Sequence, residues 1–307
     1  MGGIPRVARG IARIVAGISM GLAISSAAGG AEQDSIASQP SGLAWGGNGG
    51  TGGGFRVTPT RVVFEGPLRS AELTLANTGS EPATYRVSLV RMRMTEAGAI
   101  VEVEDALPGE SFADSMLRFS PRQVELEPGA TQTVRMQLRK PANLSDGEYR
   151  SHLVFRALPP VEPDDSPGGR PPSTRGVSIA LRPVFGAAIP VIVRQGETAA
   201  TVTIRVLELR RGSNATGEPL LALEMSRTGN RSVYGDLTVT WTPPGGRPRN
   251  VGGMRGLAVY TPNLVRRVLV PLRNDPKGPW MAGTLRVAFE EVAGERELLA
   301  EAELALP

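Results

Sequence analysis

From Phe55 onward the chain is a succession of short runs in which apolar and polar residues alternate, each closed by Gly, Pro or Asn. Alternation at period two puts the apolar side chains on one face of an extended strand, whereas an amphipathic helix needs them to recur three and four residues apart. The first set of candidate strands is FRVTPTRVVF, SAELTLAN, ATYRVSLVRM, AIVEVED, QVELEPG, TQTVRMQL, YRSHLVFRAL and the run that starts at Val177. The second is TVTIRVLEL, LLALEMS, LTVTWTP, LVRRVLVPL, GTLRVAFEEV and LLAEAELAL. Asn77-Thr78-Gly79, Pro128-Gly129, Thr228-Gly229-Asn230 and Pro243-Pro244-Gly245-Gly246 supply turns between them. Short strands separated by turns at this spacing predict an all-β fold of two sandwiches. Leu73 with Leu75, Val87 with Leu89, Val134 with Met136 and Leu138, and Leu153 with Phe155 are the expected core of the first. The final ELLAEAELAL has helical propensity, but Leu298, Ala300, Ala302 and Leu304 alternate, which favours a strand.

The 307 residues divide on the same grounds. Arg6, Arg9 and Arg13 precede an apolar run from Ile14 to Ile24 and the small residues Ser25 to Ala28, the pattern of a secretory signal peptide over residues 1–28. Residues 29–54, ending in AWGGNGGTGGG, read as a flexible Gly-rich segment. Residues 55–195 form the expected first domain and 196–307 the second. No later run approaches about 18 apolar residues, so membrane insertion of the mature chain is not expected. With zero cysteines, stability must come from core burial rather than disulfides. Three of the 34 basic residues lie in the leader, leaving 31 against 30 acidic groups, a net +1. The cations are interspersed with acids, which argues against a nucleic-acid partner, since that would need a stripe of one sign.

The residues give little scope for catalysis. With no Cys and one His, thiolate chemistry and multi-histidine metal centres are excluded, and no catalytic residue, metal or cofactor is assigned. His152 lies opposite in parity to Leu153 and Phe155, the position of a surface or sheet-face histidine. Glu290 and Glu291 are neighbours on a strand and point to opposite faces. The Gly runs at 46–54 lack the Lys and strand-to-helix context of a phosphate loop. A non-enzyme is expected.

Two features remain. Val177, Ile179 and Leu181 alternate with Ser178, Ala180 and Arg182 behind the long polar loop PPVEPDDSPGGRPPSTR, which places an apolar strand near a sheet edge. Such an edge invites aggregation unless pairing with another chain is its purpose. Arg61 sits among Val62, Val63 and Phe64, where a guanidinium suits bidentate capture of a carboxylate; an internal salt bridge or plain exposure are the other readings.

From Phe55 to Arg194 the chain resembles the N-terminal domain of PapD-like periplasmic pilus-assembly chaperones of chaperone-usher systems. The likeness is carried by TRVVFEG, LTLANTGSEPATYRV, RFSPRQVELEPGATQTVRM and DGEYRSHLVFRALPP, in that order, and by the long loop and alternating strand that follow. The resemblance implies two immunoglobulin-like sandwiches set at an angle with a cleft between them. It implies a chaperone that caps pilin-like subunits by donor-strand complementation and passes them to an outer-membrane usher. Val177, Ile179 and Leu181 would be the lent strand and Arg61 the cleft arginine that grips the subunit's terminal carboxylate. The family's cleft lysine should fall near IPVIVR, where this sequence has Pro190 and no lysine. Arg182 and Arg194 are the candidates for that second cation. Self-association through the edge strand is a further expectation. The alternative is a PapD-like structural or adhesive component of a surface assembly.

Overall fold

A computed structural model describes residues 44–45, 54–159, 186–210, 217–273, 282–292 and 296–307. The expected signal peptide lies outside them, as do most of the Gly-rich segment, the long loop, and Val177, Ile179, Leu181 and Arg182. In chain order, the first part contributes β1 (Ala44–Trp45), β2 (Phe55–Thr58), β3 (Val62–Phe64), β4 (Ser70–Asn77), β5 (Ala83–Val90) and β6 (Met92–Met94). It continues with β7 (Ile100–Glu102), β8 (Leu117–Ser120), β9 (Gln123–Leu126), β10 (Thr131–Leu138), β11 (Gly147–Ala157) and β12 (Gly186–Gln195). One sheet runs β1-β12-β11-β5-β9, with β3 parallel to β12, and the other runs β2-β4-β10-β8; β6 and β7 form a separate hairpin. The two sheets close over Phe64, Leu73, Leu75, Tyr85, Val134, Met136, Leu153, Phe155 and Val191, all fully buried.

The sequence run FRVTPTRVVF, expected as one strand, is two. Its first half pairs with β4 and its second half with β12, so the chain crosses from one sheet to the other between Thr58 and Val62. Pro59, which has no N–H for a ladder, begins the crossing, and Arg61 ends it. Val62 and Phe64 enter the core, so Arg61 and Val63 face the other way.

The second sandwich is built from β13 (Ala200–Arg210), β14 (Leu220–Gly229), β15 (Val233–Thr242), β16 (Arg249–Val259), β17 (Val265–Pro271), β18 (Gly283–Glu291) and β19 (Leu298–Leu306). Its sheets are β13-β14-β17 and β16-β15-β18-β19, packed around Leu221, Leu223, Met225, Val239, Val270, Leu285, Val287 and Phe289. The all-β, two-sandwich architecture expected from the alternation is the one observed. Strand β16 was not expected, because NVGGMRG has too few side chains to show a period. Its glycines have a packing reason: a Cβ on Gly253 would lie 2.5 Å from the Leu237 carbonyl oxygen, and Gly256 has φ +63°. The last strand forms as expected, with one change. The register shifts between Phe289 and Glu290, and Leu298 is turned outward and exposed.

Candidate functional site

Strand β11 has a two-sided character that its sequence records. Leu153 and Phe155 enter the first core, while Glu148, Arg150 and His152 alternate with them on the opposite face and are nevertheless buried. The second sandwich covers Glu148 through Ser232 and Arg150 through Tyr260 and Thr261. Met94, Ile192, Ala258 and Tyr260 form a small apolar cluster there, with Val63, Ile100 and Tyr234 packed against it. Ile192 is the cross-strand neighbour of Arg150, Pro190 that of His152, and Arg194 that of Glu148.

Two guanidiniums lie on tyrosine faces in this contact. Arg61 is 4.4 Å from the ring centroid of Tyr234, and Arg150 is 4.5 Å from that of Tyr260. Each pair joins a cation of the first sandwich to a ring of the second, an arrangement in which the negative π-face partly replaces lost hydration. Arg150 donates from Nη1 to the Met92 carbonyl at 3.2 Å and from Nη2 to the Thr261 carbonyl at 3.1 Å. Its Nε, and Nη1 of Arg61, are buried with no hydrogen-bond partner. Burial pushes the Arg150 pKa down, and neighbouring Arg61 adds to the effect, while Tyr260, Glu148 and Glu110 oppose it. Burial raises the Tyr260 phenol, against the pull of Arg61 and Arg150. His152 is held at a pKa of about 3 by burial and then by Arg150, so it is neutral.

The acids nearby are already engaged. The buried Glu148 carboxylate accepts from the Ser232 amide at 3.0 Å, from the Ser232 hydroxyl, and from Arg194 Nε at 3.4 Å. Arg194 also reaches Glu65 at 3.1 Å, and Glu110 accepts from Arg93. Among the described residues no carboxylate lies in ion-pair range of Arg61 or Arg150. The site therefore holds two arginines with charge left uncompensated, in a setting where an unpaired charge is costly. Such an arrangement is suited to an anion.

Of the residues singled out in the sequence, Arg61 is in this contact and forms no salt bridge with any of the described residues. Arg194 is close by, but two carboxylates already share its charge. Arg182 and the strand residues Val177, Ile179 and Leu181 lie outside the described residues. Strand β12, which starts at Gly186, is paired on its outer side with β1 at Gly186–Ala187 and with β3 at Val191–Val193. Sequence reasoning missed Arg150, although its parity with Glu148 and His152 put three polar groups on one face of a strand central to its sheet. Tyr234 and Tyr260 carry no such signal, because their role arises only where the two sandwiches meet.

Residues 54–199 match the family model of the pili and flagellar-assembly chaperone PapD, N-terminal domain. Similar solved structures include the CupB2 chaperone of Pseudomonas aeruginosa, 15% identical over 82% of this chain and 100% of that one, TM-score 0.39. The CsuC-CsuE chaperone-tip adhesion subunit complex of Acinetobacter baumannii is 14% identical over 81% and 97%, TM-score 0.43. The Salmonella enterica SafA pilin in complex with the SafB chaperone is 15% identical over 82% and 96%, TM-score 0.39. A comparison with curated proteins finds no match.

Proposed function

We propose that the protein is a periplasmic chaperone of the chaperone-usher type that binds pilin-like subunits and caps them until an outer-membrane usher receives them. The family match over residues 54–199 supports the class. The observation that carries the binding mode is Arg61, a guanidinium between two sandwiches with a buried Nη1 and no partner for it. A subunit's terminal carboxylate is the anion of the right size and charge for it, and fixes the end of an incoming chain. The strand carrying Val177, Ile179 and Leu181 lends its edge, its main chain supplying hydrogen bonds and its alternate side chains filling the subunit's open groove. No phosphate-loop motif occurs in the sequence, and release comes from exchange of the lent strand for a better one rather than from a nucleotide. The leader at residues 1–28 directs the chain to the periplasm, where residues 55–195 and 196–307 act as the two domains.

The edge is tested with Ile179→Asp. A variant with unchanged circular dichroism should lose subunit capture during co-expression with a pilin-like subunit. Undiminished subunit yield from such a variant would remove strand lending from the account.

A further inference from the structure

We infer that the protein carries its own cap for the lent edge: β1, from the segment ahead of the first sandwich, pairs with the outer side of β12 and has to be displaced before a subunit strand can extend along that side. This rests on the reading of the strand from Val177 as the subunit-binding edge. β1 runs antiparallel to β12, with Ala44 opposite Ala187 and Trp45 opposite Gly186. Gly186 opens β12, so β1 sits at the end of β12 that leads back toward Leu181. Further along the same side, Pro190 has no N–H to offer and β3 takes Val191 to Val193. Both ends of this side are thus met by strands of the chain itself. A subunit strand that pairs along Val177, Ile179 and Leu181 and continues to Gly186 arrives at the place β1 holds.

β1 has the character of a displaceable cap rather than of a structural strand. It is 2 residues long, short of the roughly 5–6 of an ordinary strand, so it adds few main-chain bonds. The part of β12 that it meets, Gly186-Ala187-Ala188, has no large side chain to lock a partner in place. Between β1 and β2 the sequence is GGNGGTGGG, glycine except for Asn48 and Thr51. Ordering glycine costs more backbone entropy than ordering any other residue, which weakens the hold of β1 on β12. The shortness of the same link acts the other way, keeping the effective concentration of β1 near about 1 mM, above that of a second copy in dilute solution. An edge that would otherwise pair with any copy it meets is covered by a partner that is always at hand and easily replaced. A longer apolar strand from a subunit, with more main-chain bonds to make and more side chains to bury, wins the exchange.

The test compares the full chain with a double variant, Ala44→Pro and Trp45→Pro, in which β1 can donate no main-chain N–H. Hydrogen exchange reports on the edge itself, and stopped-flow anisotropy follows a fluorescein-labelled peptide of alternating valine and threonine as the incoming strand. In the variant the outward amide of the Gly186–Ala187 pair should exchange about tenfold faster, while Val191 to Val193 beneath β3 keep their protection and show that the fold is intact. The peptide should associate about tenfold faster with the variant, roughly the factor that one or two main-chain hydrogen bonds supply. Unchanged exchange at Gly186–Ala187 would overturn the inference, as would faster exchange without a faster association. Either result leaves the edge reading standing when Ile179→Asp abolishes peptide binding. A peptide that binds neither protein, or binds Ile179→Asp as well as the wild type, would overturn the edge reading and the cap with it. Should the prolines also strip protection from Val191 to Val193, a chain with a Gly-Ser run inserted after Gly50 decides instead. Doubling the link lowers the effective concentration of β1 and should speed association about threefold, and an unaltered rate contradicts the inference.

Discussion

The Arg61 guanidinium, on the first sandwich, lies 4.4 Å from the centroid of the Tyr234 ring on the second. That single pair makes the candidate anion site a property of both sandwiches. Tyr234→Leu keeps an apolar side chain of similar bulk but removes the π-face. Urea unfolding should show a loss of about 1–2 kcal/mol, the size of a partly desolvated cation–π contact, while Tyr234→Phe should stay near wild type. Equal losses in both variants would assign the effect to the hydroxyl instead.

His152 gives the fold a dependence on pH with a definite sign. Its pKa falls from 6.5 in the unfolded chain to about 3 in the folded one, so acid protonates the unfolded state first. The stability it contributes is complete above pH 6.5, declines as pH falls, and is exhausted near pH 3. Between pH 7 and pH 5 the loss should be about 2 kcal/mol, at 1.36 kcal/mol per unit. Urea midpoints for His152→Gln should be flatter over that range than those of the wild type, and parallel curves would show that His152 titrates normally.

Glu148 joins Arg194 of its own sandwich to Ser232 of the other, and its side chain is wholly buried. Glu148→Gln leaves Arg194 with Glu65 alone, which is itself half-exposed. Loss of one partner of a buried pair is expected to cost about 3 kcal/mol, read as a lower urea midpoint at constant slope. An unchanged midpoint would show that solvent or Glu65 compensates.

Gly253 tests why β16 is rich in glycine. A Cβ there would meet a main-chain oxygen, which cannot swing aside. Gly253→Ala should destabilise by about 1–3 kcal/mol, the usual cost of overpacking, whereas Ala at Gly129, in the open turn before β10, meets no neighbour and carries only its φ of +77°.

Much of this was legible in the residues. Alternation such as Leu73/Leu75 or Val134/Met136 identified strands and their inward faces, because burial of one sheet face leaves a period-two record. Arg61 stood out for the same reason, as a charge among apolar neighbours. Where side chains are absent the record fails, as in NVGGMRG, where glycine allows strands to approach closely but leaves no period to read. Leu298 shows another limit: a register shift at Phe289 and Glu290 reverses its face, and bulges have no alternation of their own. The Arg150–Tyr260 and Glu148–Ser232 contacts depend on the meeting of two sandwiches about a hundred residues apart in sequence, to which local patterning is blind.

The most direct test of the account is recovery of what the protein holds in the cell. The tagged chain and its Arg61→Ala variant, matched in yield and thermal stability, would be purified from the periplasm and their companions identified by mass spectrometry. The account predicts that the wild type brings down a β-rich subunit with an intact C-terminus and that the variant brings down far less of it. A wild type that emerges alone, or a subunit held equally well by Arg61→Ala, would contradict it.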